Sequence, residues 1–168
     1  MAAVPEGVES AAAPMIIYID ADACPVKQEV YRVAERHGLS VVLVANSSMA
    51  IPKAPWIELV LVDKRGDAAD DWIVERVAPG DVVVTQDILL AERCLKERGA
   101  RPIAPNGKAF TAANIGEALA RRELMERLRQ WGGQEGGPAP FTKGDRSRFL
   151  QTLHETIVQL QRDQGARF

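Results

Sequence analysis

The sequence contains too few residues of several types to support some common kinds of site. Its two cysteines, Cys24 and Cys94, cannot form a disulfide framework, and with only two histidines they do not make a zinc-ligand pattern. Aromatic residues are 5% of the chain, so the core must be mainly aliphatic. No apolar run reaches the roughly 18 residues that a membrane span needs. The net charge of −2 does not indicate a general polyanion binder.

The ends of the chain differ in composition from its middle. Residues 1–14 lack the basic start and apolar stretch of a signal peptide, so we predict a disordered leader and a cytoplasmic protein. The remaining length favours a single domain over 15–163. A Gly/Pro-rich loop at 132–140 precedes a C-terminal amphipathic helix. The apolar face of that helix is compatible with either a monomer or a homodimer.

Short apolar runs alternate with amphipathic segments along the chain. Buried strands are predicted over 15–20, 40–46, 57–63, 81–87 and 100–104. Helices are predicted over 25–38, 67–78, 88–99, 111–131 and 142–163. This alternation indicates βαβ units, and therefore an α/β fold with a mainly parallel sheet in a three-layer α/β/α arrangement. Ligands of such sheets bind beyond the carboxyl ends of the strands.

Aspartates recur at that end of three predicted strands. Asp20 and Asp22 follow the first strand, Asp70 and Asp71 follow the third, and Asp87 ends the fourth. Several carboxylates in one cleft suit Mg²⁺ or Mn²⁺, because these hard ions prefer oxygen ligands. Taken singly, the acids have structural interpretations as well: helix caps for Asp67 and Asp87, and turn residues for Asp63 and Asp81.

Neighbouring helical residues point about 100° apart, so one of Asp70 and Asp71 must face away from a shared cleft. Asp70 is favoured, because it lies three residues after Asp67 on the same helical face. Cys24 is predicted to be a packed residue near the site, since no base that would activate a thiol is evident.

The second half of the chain carries the basic counterpart. The segment PFTKGDRSRF, residues 140–149, has three cations and two phenylalanines, so Lys143, Arg146 and Arg148 are predicted phosphate contacts. An aromatic side chain there could stack on a base, although Phe149 is expected in the core. Thr85 and Asn46, near the ends of two strands, are further candidates for contact with a phosphate or a metal-bound water.

Four segments, in order, resemble the bacterial YaiI/YqxD family (UPF0178, DUF188): DADACPVK, DAADDWIVE, VVTQDILLA and GPAPFTKGDRSRFLQTLH. The resemblance implies a fold similar to the PIN-like nucleases, whose strand-end acids bind Mg²⁺ or Mn²⁺ and cut RNA or DNA. Carried over, Asp20 and Asp22 match the first acidic position, Asp70 or Asp71 the second, and Asp87 the third. A fourth PIN acid is expected about one strand later, where this chain reads ARPIAPNGKAF.

The resulting hypothesis is a metal-dependent phosphodiesterase with nucleic acid as its partner, RNA being favoured over DNA. One alternative is a catalytically silent module that binds RNA or protein, which the missing fourth acid favours. Another is a phosphatase, because IYIDADAC also resembles the DxDx[TV] start of haloacid dehalogenase-type enzymes, with Asp20 as nucleophile and Asp22 as acid/base. Cys24 stands where that motif has Thr or Val.

Overall fold

A computed structural model describes residues 14–132 and 140–165. The predicted leader, apart from Pro14, lies outside these residues. So does the predicted Gly/Pro-rich loop, apart from its first and last residues. Within the described part of the chain, no helix is both long and apolar enough to cross a membrane. The predicted cytoplasmic location stays a prediction.

Five parallel strands form one central sheet, which confirms the predicted fold class. They are β1 (Ile16–Asp20), β2 (Ser40–Ala45), β3 (Ile57–Leu61), β4 (Val82–Val84) and β5 (Arg101–Ile103). Their spatial order is β3-β2-β1-β4-β5, and every neighbouring pair is parallel. The middle strands are buried on both faces, which explains why their sequences are continuous apolar runs rather than alternating ones.

In the described part of the chain, five α-helices connect and follow the strands. They are α1 (Lys27–His37), α2 (Ala68–Arg76), α3 (Ile88–Arg98), α4 (Ile115–Gln130) and α5 (Lys143–Gly165). Two of them begin at least two residues later than predicted. Pro25 lies in a turn before α1, and α4 starts after a turn in which the Thr111 and Asn114 side chains each bond the other residue's backbone amide. Such reciprocal bonds compete with helical hydrogen bonds and delay the helix.

The helices cover both faces of the sheet. On one face, α1 packs against β1 and α5 packs against α1 and β5, with Ile17, Val30 and Phe149 in one buried cluster. On the other face, α2 and α3 pack against Tyr18 and its neighbours. Ile17 and Tyr18 point to opposite faces because strand side chains alternate. Phe149 is fully buried, as predicted from the sequence.

The chain order places a crevice between β1 and β4. From β1 the chain builds outward through β2 to β3, then returns to build β4 and β5 on the other side. The connections that follow β1 and β4 therefore leave the sheet in opposite directions. The carboxyl ends of these two strands flank the point where strand order reverses, which is where open parallel sheets bind ligands.

Candidate functional site

An acidic cleft of ≈ 240 Å³ opens at the carboxyl ends of β1 and β4. We call it the acidic cleft; its charged lining consists of Asp20, Asp22, Asp63, Asp70, Asp87 and Arg65. Four of the five aspartates predicted as site residues are therefore brought together here. The fifth, Asp71, lies outside the cleft. Asp63, predicted as a turn residue, contributes from the loop after β3.

Asp20 is held at the end of β1 by Thr85. The Thr85 hydroxyl donates to Asp20 Oδ2 at 2.9 Å and is itself buried. Burial raises the pKa of Asp20; the Thr85 hydrogen bond opposes this, and the negative charges of Asp87 and Asp22 add to it. Asp20 is thus a fixed, largely desolvated carboxylate that sits beside two others.

Asp87 is both a helix cap and a member of the cleft. One of its oxygens, Oδ1, accepts from the backbone amides of Leu89 at 3.0 Å and Leu90 at 3.3 Å, at the start of α3. Its own backbone N–H donates to Thr85 Oγ1 at 3.0 Å. The Thr85 hydroxyl therefore links the two strand ends, donating to Asp20 and accepting from the residue that caps α3.

Asp70 enters the cleft from the first turn of α2. Its pKa is raised to about 7, chiefly by burial, then by the charges of Asp87 and Asp20 and by a hydrogen bond with Asp87, while Arg93 opposes the rise. Asp70 therefore lies close enough to Asp87 and Asp20 for their negative charges to disfavour its ionisation in the absence of a cation.

Asp71, the next residue of α2, faces a different surface. Its Oδ1 accepts from Arg93 Nη1 at 3.0 Å, and its Oδ2 lies 3.9 Å from Arg65 Nη2. The sequence left open which of Asp70 and Asp71 faces the cleft. In the structure, Asp70 lines the acidic cleft, whereas Asp71 contacts Arg93 and lies near Arg65.

Asp22 and Asn46 tie the turn after β1 to the end of β2. The Asn46 backbone amide donates to Asp22 Oδ2 at 2.9 Å, and Ser47 Oγ lies 3.5 Å from Oδ1. Asp22 stays exposed at the mouth of the cleft.

Cys24 also lines the acidic cleft, but burial raises the pKa of its thiol to about 11, which keeps the sulfur protonated and unreactive.

The donor set fits a hydrated hard cation better than a closed metal cage. Among the described residues, no three His, Cys, Asp or Glu side chains are arranged as ligands of one metal ion. Mg²⁺, however, is usually held by one or two carboxylates and completes its shell with water and substrate oxygens. Asp20, Asp70 and Asp87 supply such oxygens, and the repulsion among them is what a cation would relieve.

Two of the three predicted phosphate-binding cations have protein partners. Arg146 Nη1 donates to Glu29 Oε1 and to the Pro25 carbonyl, both at 2.9 Å, and Arg148 is paired with Asp145. Lys143 is exposed at the start of α5. None of the three lines the acidic cleft, so their contact with phosphate stays a prediction.

Arg65 is the cation that the sequence interpretation missed. It lies in the loop after β3 and lines the acidic cleft, with two thirds of its side chain exposed. The rule that located the acids could have located it, because it follows a strand at the same edge of the sheet.

Known proteins resemble this chain in sequence over most of its length. The family model DUF188, described as "Uncharacterized BCR, YaiI/YqxD family", matches residues 18–159. A UPF0178 protein of Azorhizobium caulinodans is 57% identical over 149 residues, which cover 89% of this chain and 93% of the relative. A UPF0178 protein of Brucella ovis is 58% identical over 147 residues, 87% of this chain and 91% of the relative. No solved structure matches the chain significantly.

Proposed function

The chain belongs to the YaiI/YqxD (DUF188) family, and from its acidic cleft we propose that it is a metal-dependent phosphodiesterase acting on nucleic acid, with RNA as the first substrate to test. The observation that carries this proposal is the convergence of Asp20, Asp70 and Asp87 at the strand-order reversal. Burial and neighbouring negative charges raise the pKa of Asp20 and of Asp70, and acids perturbed in this way within a cleft are candidates for a functional site.

Each acid has a separate task in this proposal. Asp20 and Asp87 are fixed carboxylates, the first held by the Thr85 hydroxyl and the second by the amides that begin α3. Asp70 is the acid whose pKa is raised to about 7 by burial and by the charges of Asp87 and Asp20, and a bound cation would favour its charged form. Arg65, at the mouth of the cleft, would contact the phosphate that approaches these acids.

Mg²⁺ or Mn²⁺ would be held by one or two of the carboxylates of Asp20, Asp70 and Asp87, with water and substrate oxygens completing its shell. Asp22 and Asp63 are further oxygen donors at the mouth of the cleft. Such an ion supplies a nucleophilic water at neutral pH and neutralises charge on the phosphoryl oxygens. The Thr85 hydroxyl and the backbone amides at the start of α3 keep the carboxylates of Asp20 and Asp87 in place. The buried aliphatic residues of β1 and β4 limit the access of bulk water to the cleft through the sheet.

The test is cleavage of end-labelled single-stranded RNA and DNA with Mn²⁺ or Mg²⁺. We expect cleavage by the wild-type chain and a loss of at least about 10- to 100-fold in Asp20→Asn, Asp70→Asn and Asp87→Asn, since residues that merely support a metal ligand already show losses of this size. The matched control is Asp67→Asn, which removes an exposed carboxylate from the position preceding α2. This variant should cut like the wild type.

Two results would contradict the proposal in different ways. Absence of cleavage by the wild type on both substrates with both metals would remove the nuclease activity. Cleavage by Asp20→Asn, Asp70→Asn and Asp87→Asn equal to that by Asp67→Asn would instead remove the acidic cleft as its site. Retained RNA binding without cleavage is the result expected of a silent binding module. A phosphorylated Asp20, trapped from a phosphate ester, is the result expected of a dehalogenase-type phosphatase.

A further inference from the structure

A second concavity continues from the acidic cleft toward the start of α5. It has a volume of ≈ 700 Å³, and the two share a wall made by residues 22–24 together with Gln86 and Pro105. Pockets that hold small organic ligands measure roughly 300–1,000 Å³. We call this second concavity the side groove. A molecule that reaches the acids can therefore extend into the side groove without leaving the protein surface.

The side groove differs in chemistry from the acidic cleft. Its apolar lining includes Pro25, Pro105 and the Phe141 ring, and its polar lining includes Lys27, Gln86 and Asn106. The Lys27 ammonium donates to the Cys24 carbonyl at 3.1 Å, which leaves further donor hydrogens, since an ammonium carries three. The Asp145 carboxylate at its rim is bonded to the Thr142 amide and to Arg148. An aromatic ring with nearby amides and a cation suits a flat heterocycle attached to an anion.

The Phe141 ring is held in place rather than loosely exposed. The Arg146 guanidinium lies over it, with its central carbon 5.0 Å from the ring centroid. Arg146 is fixed in turn by Glu29, a buried carboxylate of α1, at 2.9 Å. An aromatic side chain whose orientation is already set loses little conformational freedom when a ligand stacks on it.

The opposite wall is also rigid. Gly107, just after Pro105 and Asn106, has φ +92, and a Cβ on it would lie 2.7 Å from the Arg148 carbonyl carbon. Its carbonyl oxygen accepts from Thr152 Oγ1 at 2.8 Å. This close approach of the loop to α5 requires glycine and fixes the loop next to the helix that Phe141 precedes.

We infer that the side groove binds one unpaired nucleobase of a single-stranded nucleic acid, stacked on Phe141, next to the phosphate in the acidic cleft. This inference rests on the proposed function and specifies its substrate class as single strands. A base within a duplex is stacked on its neighbours, whereas an unpaired base can turn out and stack on an aromatic ring.

The test is binding of a fluorescein-labelled single-stranded RNA by the full chain carrying Asp20→Asn, in metal-free buffer of low ionic strength. This background removes one repelling charge and allows no cleavage under the proposed function. Added Phe141→Leu keeps apolar volume but removes the aromatic face, and we expect binding weakened on the order of 10-fold. Phe141→Tyr should bind like its parent, and circular dichroism melting curves check that all variants are folded.

Two matched controls make the result specific to the side groove. Trp131→Ala removes an aromatic that is 88% exposed directly after α4, and it should leave binding unchanged. An RNA of the same length, with abasic sites along its whole sequence, should bind the parent as weakly as intact RNA binds Phe141→Leu. The two losses should not add. A duplex of the same sequence should bind more weakly and should not respond to Phe141→Leu.

Equal binding of intact RNA by the parent and a folded Phe141→Leu variant would overturn the inference, as would parent binding that is insensitive to removal of the bases. Its failure is separable from failure of the proposed function. Suppose that the variants of the cleft acids lose cleavage, while Phe141→Leu changes neither RNA binding nor the cleavage rate. The phosphodiesterase proposal would then be supported and the side-groove inference rejected. If instead binding depends on Phe141 and on the bases, but the wild type does not cleave, the side-groove inference would be supported and the proposed activity rejected.

Discussion

The acidic cleft and the basic start of α5 are both dense in charge, but their charges are balanced differently. Among the described residues that line the acidic cleft, five aspartates meet one cation, Arg65. At the start of α5, by contrast, Arg146 is paired with Glu29 and Arg148 with Asp145. Charges with partners stabilise a structure, whereas like charges held together without partners impose a free-energy penalty that a ligand can relieve.

The difference also appears in what holds each group. Asp20 and Asp87 are fixed by hydrogen-bond donors from Thr85 and from the first turn of α3, which carry no net charge. Arg146 is fixed by a full negative charge on a buried side chain. In the acidic cleft, the uncharged donors keep the carboxylate oxygens in position but do not compensate their charge. At the start of α5, the Glu29 carboxylate compensates the charge of Arg146. The two regions therefore differ in the charge of the partner group rather than in the number of contacts.

The largest expected effect is on the paired side. Arg146→Ala leaves the buried Glu29 carboxylate without its partner and removes two hydrogen bonds at 2.9 Å. Hydrogen bonds to charged groups contribute about 1.5–3 kcal/mol, and Arg146 is partly exposed, so we expect unfolding free energy to fall by about 2–3 kcal/mol in urea titrations. Adding Glu29→Gln should recover part of that loss, because a neutral amide tolerates burial better than an unpaired carboxylate. A double variant as unstable as Arg146→Ala would contradict this assignment.

The next effect has the opposite sign. Asp70→Asn removes a charge that the folded cleft disfavours, so in metal-free buffer at pH 7.5 the variant should be more stable than the wild type. Discounted for solvent screening, the gain should be about 1–2 kcal/mol. Because the folded-state pKa of Asp70 is raised to about 7, its contribution to wild-type stability is present below pH 3.8 and is lost as pH rises to about 7. The advantage of the variant should therefore shrink as pH falls from 7 toward 4.

The control for this prediction is Asp67→Asn, an exposed site whose replacement should change stability by less than about 0.5 kcal/mol at any of these pH values. Mn²⁺ provides a second readout that does not depend on activity. A cation bound only by the folded chain raises its stability. Mn²⁺ should thus raise the melting temperature of the wild type and of Asp67→Asn, and raise that of Asp70→Asn less. A destabilised Asp70→Asn in metal-free buffer would show that this acid has a structural partner.

Most of the fold could be predicted from the sequence because its elements are specified locally. The continuous apolar runs predict β1, β2 and β4, and Gly38, in the left-handed conformation at φ 68, ends α1 as its position predicts. The start of α4 was missed, because the reciprocal side-chain bonds between Thr111 and Asn114 become apparent only when both residues are in place.

The site could be predicted in outline, since parallel strands bring their carboxyl ends to one edge whatever their order. The sequence pattern does not specify strand order or helix rotation, and these decide which side chains enter the cleft. Asp81 resembles the cleft acids in sequence, yet its side chain is buried at the other end of β4, where it accepts from the Ile16 and Ala78 amides. Arg146 resembles a phosphate ligand, yet its partner Glu29 is 117 residues away along the chain. Long-range partners of this kind are set by tertiary packing alone.

The smallest expected effect tests the neighbour of Asp70. Asp71→Asn removes the carboxylate that pairs with Arg93 at 3.0 Å, on a surface where both side chains are about one third exposed. Such pairs contribute about 0.2–1 kcal/mol, so Asp71→Asn should destabilise the chain slightly where Asp70→Asn stabilises it. The loss should disappear in about 1 M salt, which screens exposed pairs. If adjacent acids of one helix change stability in the same direction, charge balance does not distinguish the acidic cleft from its surroundings.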